Sequence, residues 1–135
     1  MNEKSTREWI AKADRDLKIG KDEFVTEGPA TDMICFHMQQ YTEKYLKAFL
    51  IFNSREIRRT HIVEELIREC IETDSDFQQL FEIRAHTLTD FAVELRYPSD
   101  VSLPSHEETK EAIDITEKVK QFILDKLKDR GFVTL

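Results

Sequence analysis

Turn-forming residues are nearly missing from this chain. Glycine and proline occur three times each in 135 residues, too few to punctuate a many-stranded sheet. Long helices need little punctuation, so the scarcity favours them. Cysteine is as rare: Cys35 and Cys70 form no CxxC pair and fall inside apolar-periodic segments, which predicts two reduced core thiols. The opening "MNEKSTREW" has no apolar leader core, and no run of about 18 apolar residues occurs. A cytoplasmic protein without membrane contact is expected. Positive charge is in deficit too, with 27 Asp and Glu against 20 Lys and Arg, a net −7. Strong non-specific binding to nucleic acid needs a basic surface, so any RNA contact would depend on a local basic patch. A glycine-rich phosphate loop and an HExxH pair are also absent, and no cofactor is expected.

What is present is helical periodicity. One domain is expected over residues 1–135, with a core over about 5–129 and a frayed tail at 130–135 ("DRGFVTL" closes the chain). A domain of this size hides roughly two thirds of its unfolded surface. The first helix runs from about Ser5, whose spacing to Glu8 suits a capping box, to Thr26. Its apolar face carries Trp9, Ile10, Ala13, Leu17 and Phe24. The second, about Thr31 to Phe52, is apolar nearly all round, as a helix buried on several sides must be. Only a narrow polar strip survives on it: His37, Gln40, Glu43, Lys44 and Lys47. A basic connection, "NSREIRR", leads to Thr60, which can cap a short third helix facing inward with Ile62, Val63, Leu66, Ile67 and Cys70. The fourth helix spans about Ser75 to Tyr97. The fifth starts at Ser105, again three residues before a glutamate. Long amphipathic helices on short loops pack as neighbours, so the expected fold is all-α: an up-and-down bundle of four long helices plus one short helix.

Four places could carry chemistry. His86, Asp90 and Glu94 recur every four residues, as do His61 and Glu65. Such pairs can hold a metal but occur on any charged helix, and no metal is expected. Arg55, Arg58 and Arg59 beside His61, at a helix start, could grip phosphate; the alternative is a solvated loop that offsets nearby acids. His37, Lys44 and Lys47 sit on an otherwise buried helix, where a lysine is costly unless paired or wet. That strip should face a groove, a partner subunit or acids of the fourth helix, unless it is a solvated edge. At "RYPSDVSLPSHEE" Pro98 disfavours helical geometry at Tyr97. Arg96 then lies at a helix C-terminus, where its charge suits the dipole, or with Tyr97 at the mouth of a groove.

The segments "ICFHMQQYTEKYLKAFLIF", "RRTHIVEEL", "LTDFAVELRYPSD" and "SHEETKEAIDITEKV", in this order and spacing, resemble the HEPN domain family. The resemblance covers nearly the whole chain, from "WIAKADRDL" to the end of the fifth helix. It implies a helical bundle that forms homodimers, often beside a small nucleotidyltransferase partner in toxin–antitoxin or related pairs. Some members are metal-independent ribonucleases, and others are proposed to bind nucleotides or polyanions. Ribonuclease members carry Arg followed four to six residues later by His at the end of the fourth helix. Here Arg96 is followed by Tyr97, Pro98, Ser99, Asp100, Val101 and Ser102, and the next histidine is His106. The resemblance therefore favours a binding module over a nuclease. Arg96 and Tyr97 are its expected centre, with His37, Lys44, Lys47, Arg59 and His61 around them, and the ligand a nucleotide or another phosphate-bearing molecule. The alternative is a ribonuclease toxin, with Arg96 stabilising phosphoryl charge and His106 moving the proton. The second and fourth helices are the expected dimer face.

Overall fold

The computed structural model describes residues 2–92 and 103–133. Five α-helices follow one another: α1 (Glu3–Phe24), α2 (Thr31–Phe52), α3 (Val63–Thr73), the single turn α4 (Gln79–Glu82) and α5 (His106–Asp129). Two 3₁₀ segments, Ser75–Gln78 and Ala85–Phe91, flank α4, and no strand occurs among the described residues. No described helix is long and apolar enough to cross a membrane.

Helix α2 is the centre of the molecule. It packs against α1, α3, α5 and the Ala85–Phe91 segment, which is why its sequence is apolar around most of its circumference. Ile34, Met38, Tyr41, Tyr45, Leu46, Phe49 and Leu50 are all buried. The α1–α2 turn closes on Glu23: its carboxylate accepts from the Ala30 amide at 2.9 Å, and its carbonyl accepts from the Thr26 hydroxyl at 2.7 Å. The two helices approach closely at Gly20, where any Cβ would overlap the Met38 side chain. Along α5, α1 runs antiparallel, from the Phe24–His106 stack to Arg7 over the Phe132 ring. Helix α2 runs parallel to α5, from Cys35 near Thr109 to Asn53 near Arg130.

Local signals at the start of α5 hold as expected. The Ser105 hydroxyl accepts from the Glu108 amide and the Glu108 carboxylate accepts from the Ser105 amide, both at 3.0 Å. Ser105→Ala is expected to lower stability by about 1 kcal/mol, read from the midpoint of urea unfolding. An unshifted midpoint would mean that packing alone holds that helix start.

Elsewhere tertiary contacts override local signals. Helix α1 begins at Glu3 rather than at Ser5. Asn2 is tied to Ser54 at 2.8 Å, and buried Thr6 bonds back to the Asn2 carbonyl, so the helix gains half a turn. Helix α3 begins at Val63, not beside Thr60. The Thr60 hydroxyl holds the Ile62 amide and Glu65, while the Val63 amide donates to the Thr89 hydroxyl at 2.8 Å, 26 residues away.

The fourth long helix is the main correction. The stretch expected to run unbroken from Ser75 is interrupted at Arg84, whose φ is +66°. Leu80 and Ala85 are both buried, yet five residues are about 1.4 helical turns, which would put them on different faces of a straight helix. The left-handed residue re-phases the chain, so that Phe77 and Leu80 before it and Ala85, Leu88 and Ala92 after it all point inward. Among the described residues there are thus three long α-helices, of 22, 22 and 24 residues, one of 11 and the four-residue turn α4. Asp74 ends α3 and caps the next turn through the Asp76 amide. Burial pushes the Asp74 carboxyl up, but hydrogen bonds from Lys126 and the Asp76 amide, with the charges of Lys126 and Arg130, outweigh this and hold it below the usual range.

The C-terminal residues are not frayed as far as Val133. Gly131, at φ +96°, ends α5. The Phe132 amide bonds the Leu127 carbonyl and the Gly131 amide bonds the Lys128 carbonyl, the paired closure of a Schellman motif. Phe132 is buried edge-on against Phe52 at 5.6 Å.

Candidate functional site

Four neighbouring positions on α2 stay half-buried rather than buried: Phe36, His37, Gln40 and Lys44. They form the solvent-touched edge of the polar strip. Glu43 and Lys47, expected on the same edge, are 3% and 8% exposed. Charges so placed must be compensated nearby, and two carboxylates do this. Asp16 of α1, itself 7% exposed, takes the Lys44 ammonium at 2.6 Å on one oxygen and lies 2.7 Å from His37 Nδ1 through the other. One Glu43 oxygen lies 2.8 Å from His61 Nδ1 and 3.3 Å from Lys47 Nζ. Gln39 donates to the His61 carbonyl at 3.1 Å and fixes that loop against α2. The Lys47 ammonium also sits 5.8 Å from the centre of the Trp9 ring on α1.

The strip therefore faces a seam between α1 and the 53–62 connection, and its acids come from α1 and from α2 itself rather than from the fourth segment. Each cluster holds one carboxylate, one ammonium and one imidazole. With both imidazoles neutral the six groups sum to zero, and protonation adds up to two positive charges. Past His37 the seam widens into a groove of about 530 Å³ lined by Ile19, Met33, Thr26 and Glu23.

The arginine-rich connection is more occupied than its sequence suggests. Arg55 reaches Thr73 at 2.9 Å and Glu72 at 3.2 Å, and Arg58 reaches Glu69 at 2.7 Å. Both serve to offset acids on α3. Arg59 is exposed and makes no ion pair or hydrogen bond among the described residues.

His106 is the first residue of α5 and stacks its exposed ring on Phe24 at 4.5 Å. Arg96 and Tyr97 lie outside the described residues, as does Glu94. His86 falls in a 3₁₀ segment, with its ring edge-on to Phe81 at 5.2 Å, so four-residue spacing does not align it with Asp90. His61 precedes α3, and Glu65 turns instead to Thr60 and Arg58. No group of three His, Cys, Asp or Glu side chains among the described residues is placed to hold a metal ion. Cys35 and Cys70 are buried and not disulfide-bonded, and burial pushes the Cys70 thiol well up, as suits an inert core residue.

Asp16, Trp9 and Phe36 join the site without having been singled out from sequence. Asp16 did leave a signal. It lies three residues after Ala13 and four before Gly20, both buried, so its carboxylate interrupts an inward-facing stripe.

The HEPN domain matches residues 6–127, from the second turn of α1 to the last turn of α5. That span contains Asp16, the whole of α2 and the 53–62 connection. No curated protein and no solved structure matches the chain. HEPN domains are helical modules of nucleotide-binding and ribonuclease type, and many dimerise. Matched over nearly its full length, this chain belongs to the HEPN domain family.

Proposed function

We propose that this HEPN chain is a binding module for a nucleotide or another phosphate-bearing ligand, acting as a homodimer and beside a nucleotidyltransferase partner. One observation carries the ligand reading: two buried carboxylates hold two ammonium groups and two imidazoles along a single half-open seam. Such a cluster costs stability if it serves packing alone, since apolar residues of similar volume do as well or better. The half-buried groups Lys44, His37 and His61 offer donors to an anion's oxygens, and exposed Arg59 makes no ion pair or hydrogen bond among the described residues. Lys47 contributes through Glu43. Arg96 and Tyr97 complete the proposed site, by the likeness of "RYP" to the family pattern.

Binding of inorganic pyrophosphate, followed by calorimetry, tests this reading. Affinity is expected to fall as ionic strength rises, because salt screens the contacts between an anion and exposed cations. Arg59→Ala, whose side chain has no partner among the described residues, should weaken it several-fold. Arg96→Ala should weaken it about tenfold; unchanged binding in that variant removes the role given to Arg96. The same preparations, incubated with RNA without metal, should leave it intact. Cleavage lost in both Arg96→Ala and His106→Ala would instead make the chain a metal-independent ribonuclease, with the RNA-cleaving pair set ten residues apart.

A further inference from the structure

Trp9 is the only tryptophan of the chain and has the largest apolar side chain in it. A buried indole would remove 150–250 Å² from water, yet Trp9 stays half-buried on α1. Its neighbour Ile10 is among the side chains that pack on the core; Trp9 is not. What its ring meets instead is the Lys47 ammonium at 5.8 Å. Ser5, Glu8, Trp9 and Lys12 share one α1 face, being three or four residues apart, and line a shallow depression of about 180 Å³. On the same face seven residues on, about 10 Å along the helix, is Asp16 with its partners Lys44 and His37. An aromatic ring, polar groups of both signs and a carboxylate-centred cluster of ammonium and imidazole thus lie in sequence along one seam.

We infer that Trp9 is a stacking platform for the base of a nucleotide whose phosphate is held by the histidine–lysine clusters of α2. The inference rests on the phosphate-binding reading above and narrows its ligand to one that carries a base. Every nucleobase has a π-face to lay on an indole. The buried Lys47 ammonium over the ring fits this use, since its cation–π contact holds the indole in place. The hydroxyl of Ser5, the carboxylate of Glu8 and the ammonium of Lys12 supply donors and acceptors at the rim for the base edge.

The test compares AMP with ribose 5-phosphate, which keeps the sugar and phosphate and lacks the base. Calorimetry on the wild-type protein should show AMP binding about 5- to 100-fold tighter. Because the protein has one tryptophan, AMP should also change its fluorescence saturably. Trp9→Leu should bring AMP down to the affinity of ribose 5-phosphate, and Trp9→Phe should keep most of the advantage. Equal affinities for the two ligands would overturn the stacking role and leave the phosphate reading standing. AMP bound more tightly with no fluorescence change, or with no loss in a folded Trp9→Leu protein, would place the base elsewhere and overturn it as well. Binding of neither ligand overturns both readings. The wild-type fluorescence decides the matter even where Trp9→Leu fails to fold.

Discussion

Glu43→Ala is expected to destabilise the protein by about 3–5 kcal/mol, as breaking a buried ion pair does. Glu43 is almost fully buried, and one oxygen serves both Lys47 and His61. Without it the Lys47 ammonium keeps, among the described residues, only the Trp9 face as compensation, and a buried cation without a carboxylate costs far more than the pair itself contributes. The contrast with a double replacement makes the argument checkable. Glu43→Met with Lys47→Met removes both charges and fills the volume, so it should be near neutral or mildly stabilising. Urea unfolding of the single and double variants measures both. A single-variant cost under about 1 kcal/mol would mean that Lys47 reaches water by rotating along the seam, and the cluster would then be a surface feature.

Phe49→Ala is expected to cost a similar 3–5 kcal/mol, for an apolar reason. Phe49 is fully buried, its ring centre 4.3 Å from that of Phe77, and Phe77 in turn meets the Phe122 ring edge-on at 5.0 Å. The three rings join α2, the Ser75–Gln78 turn and α5. Truncating Phe49 opens a cavity shared by three elements, none of which can close it alone. Phe77→Ala should cost about as much, and the double variant less than the sum, because both enlarge the same cavity. Strict additivity in the double-mutant cycle would refute this picture of a shared aromatic joint.

Sequence and structure agree wherever the deciding interaction is local. Ser105 and Glu108 lie three residues apart, and the reciprocal bonds they make need nothing else. Burial of α2 on several sides is likewise written in its own composition. The sequence fails where the deciding partner is distant in the chain. Thr60 carries the right chemistry for a helix cap, but Thr89 holds the first amide of α3. A long apolar stripe after Ser75 suggests one helix, yet the positions that face the core on both sides of Arg84 are reached only through a left-handed residue. The expected tail hides Phe132, because Gly131 turns the chain back onto Phe52 and Arg7.

The candidate seam divides in the same way. By itself the sequence determined the all-helical class, the family, the central helix and the strip of His37, Lys44 and Lys47 on it, since periodicity and helix geometry are properties of consecutive residues. Only the tertiary structure decided which charges the strip meets. Lys44 finds Asp16, 28 residues earlier, because α1 packs along α2. His61 finds Glu43 because the 53–62 connection folds back over the same face. A direct ion pair needs its charged atoms within about 4 Å, so partners are set by which helices touch, and that is a property of the packed core.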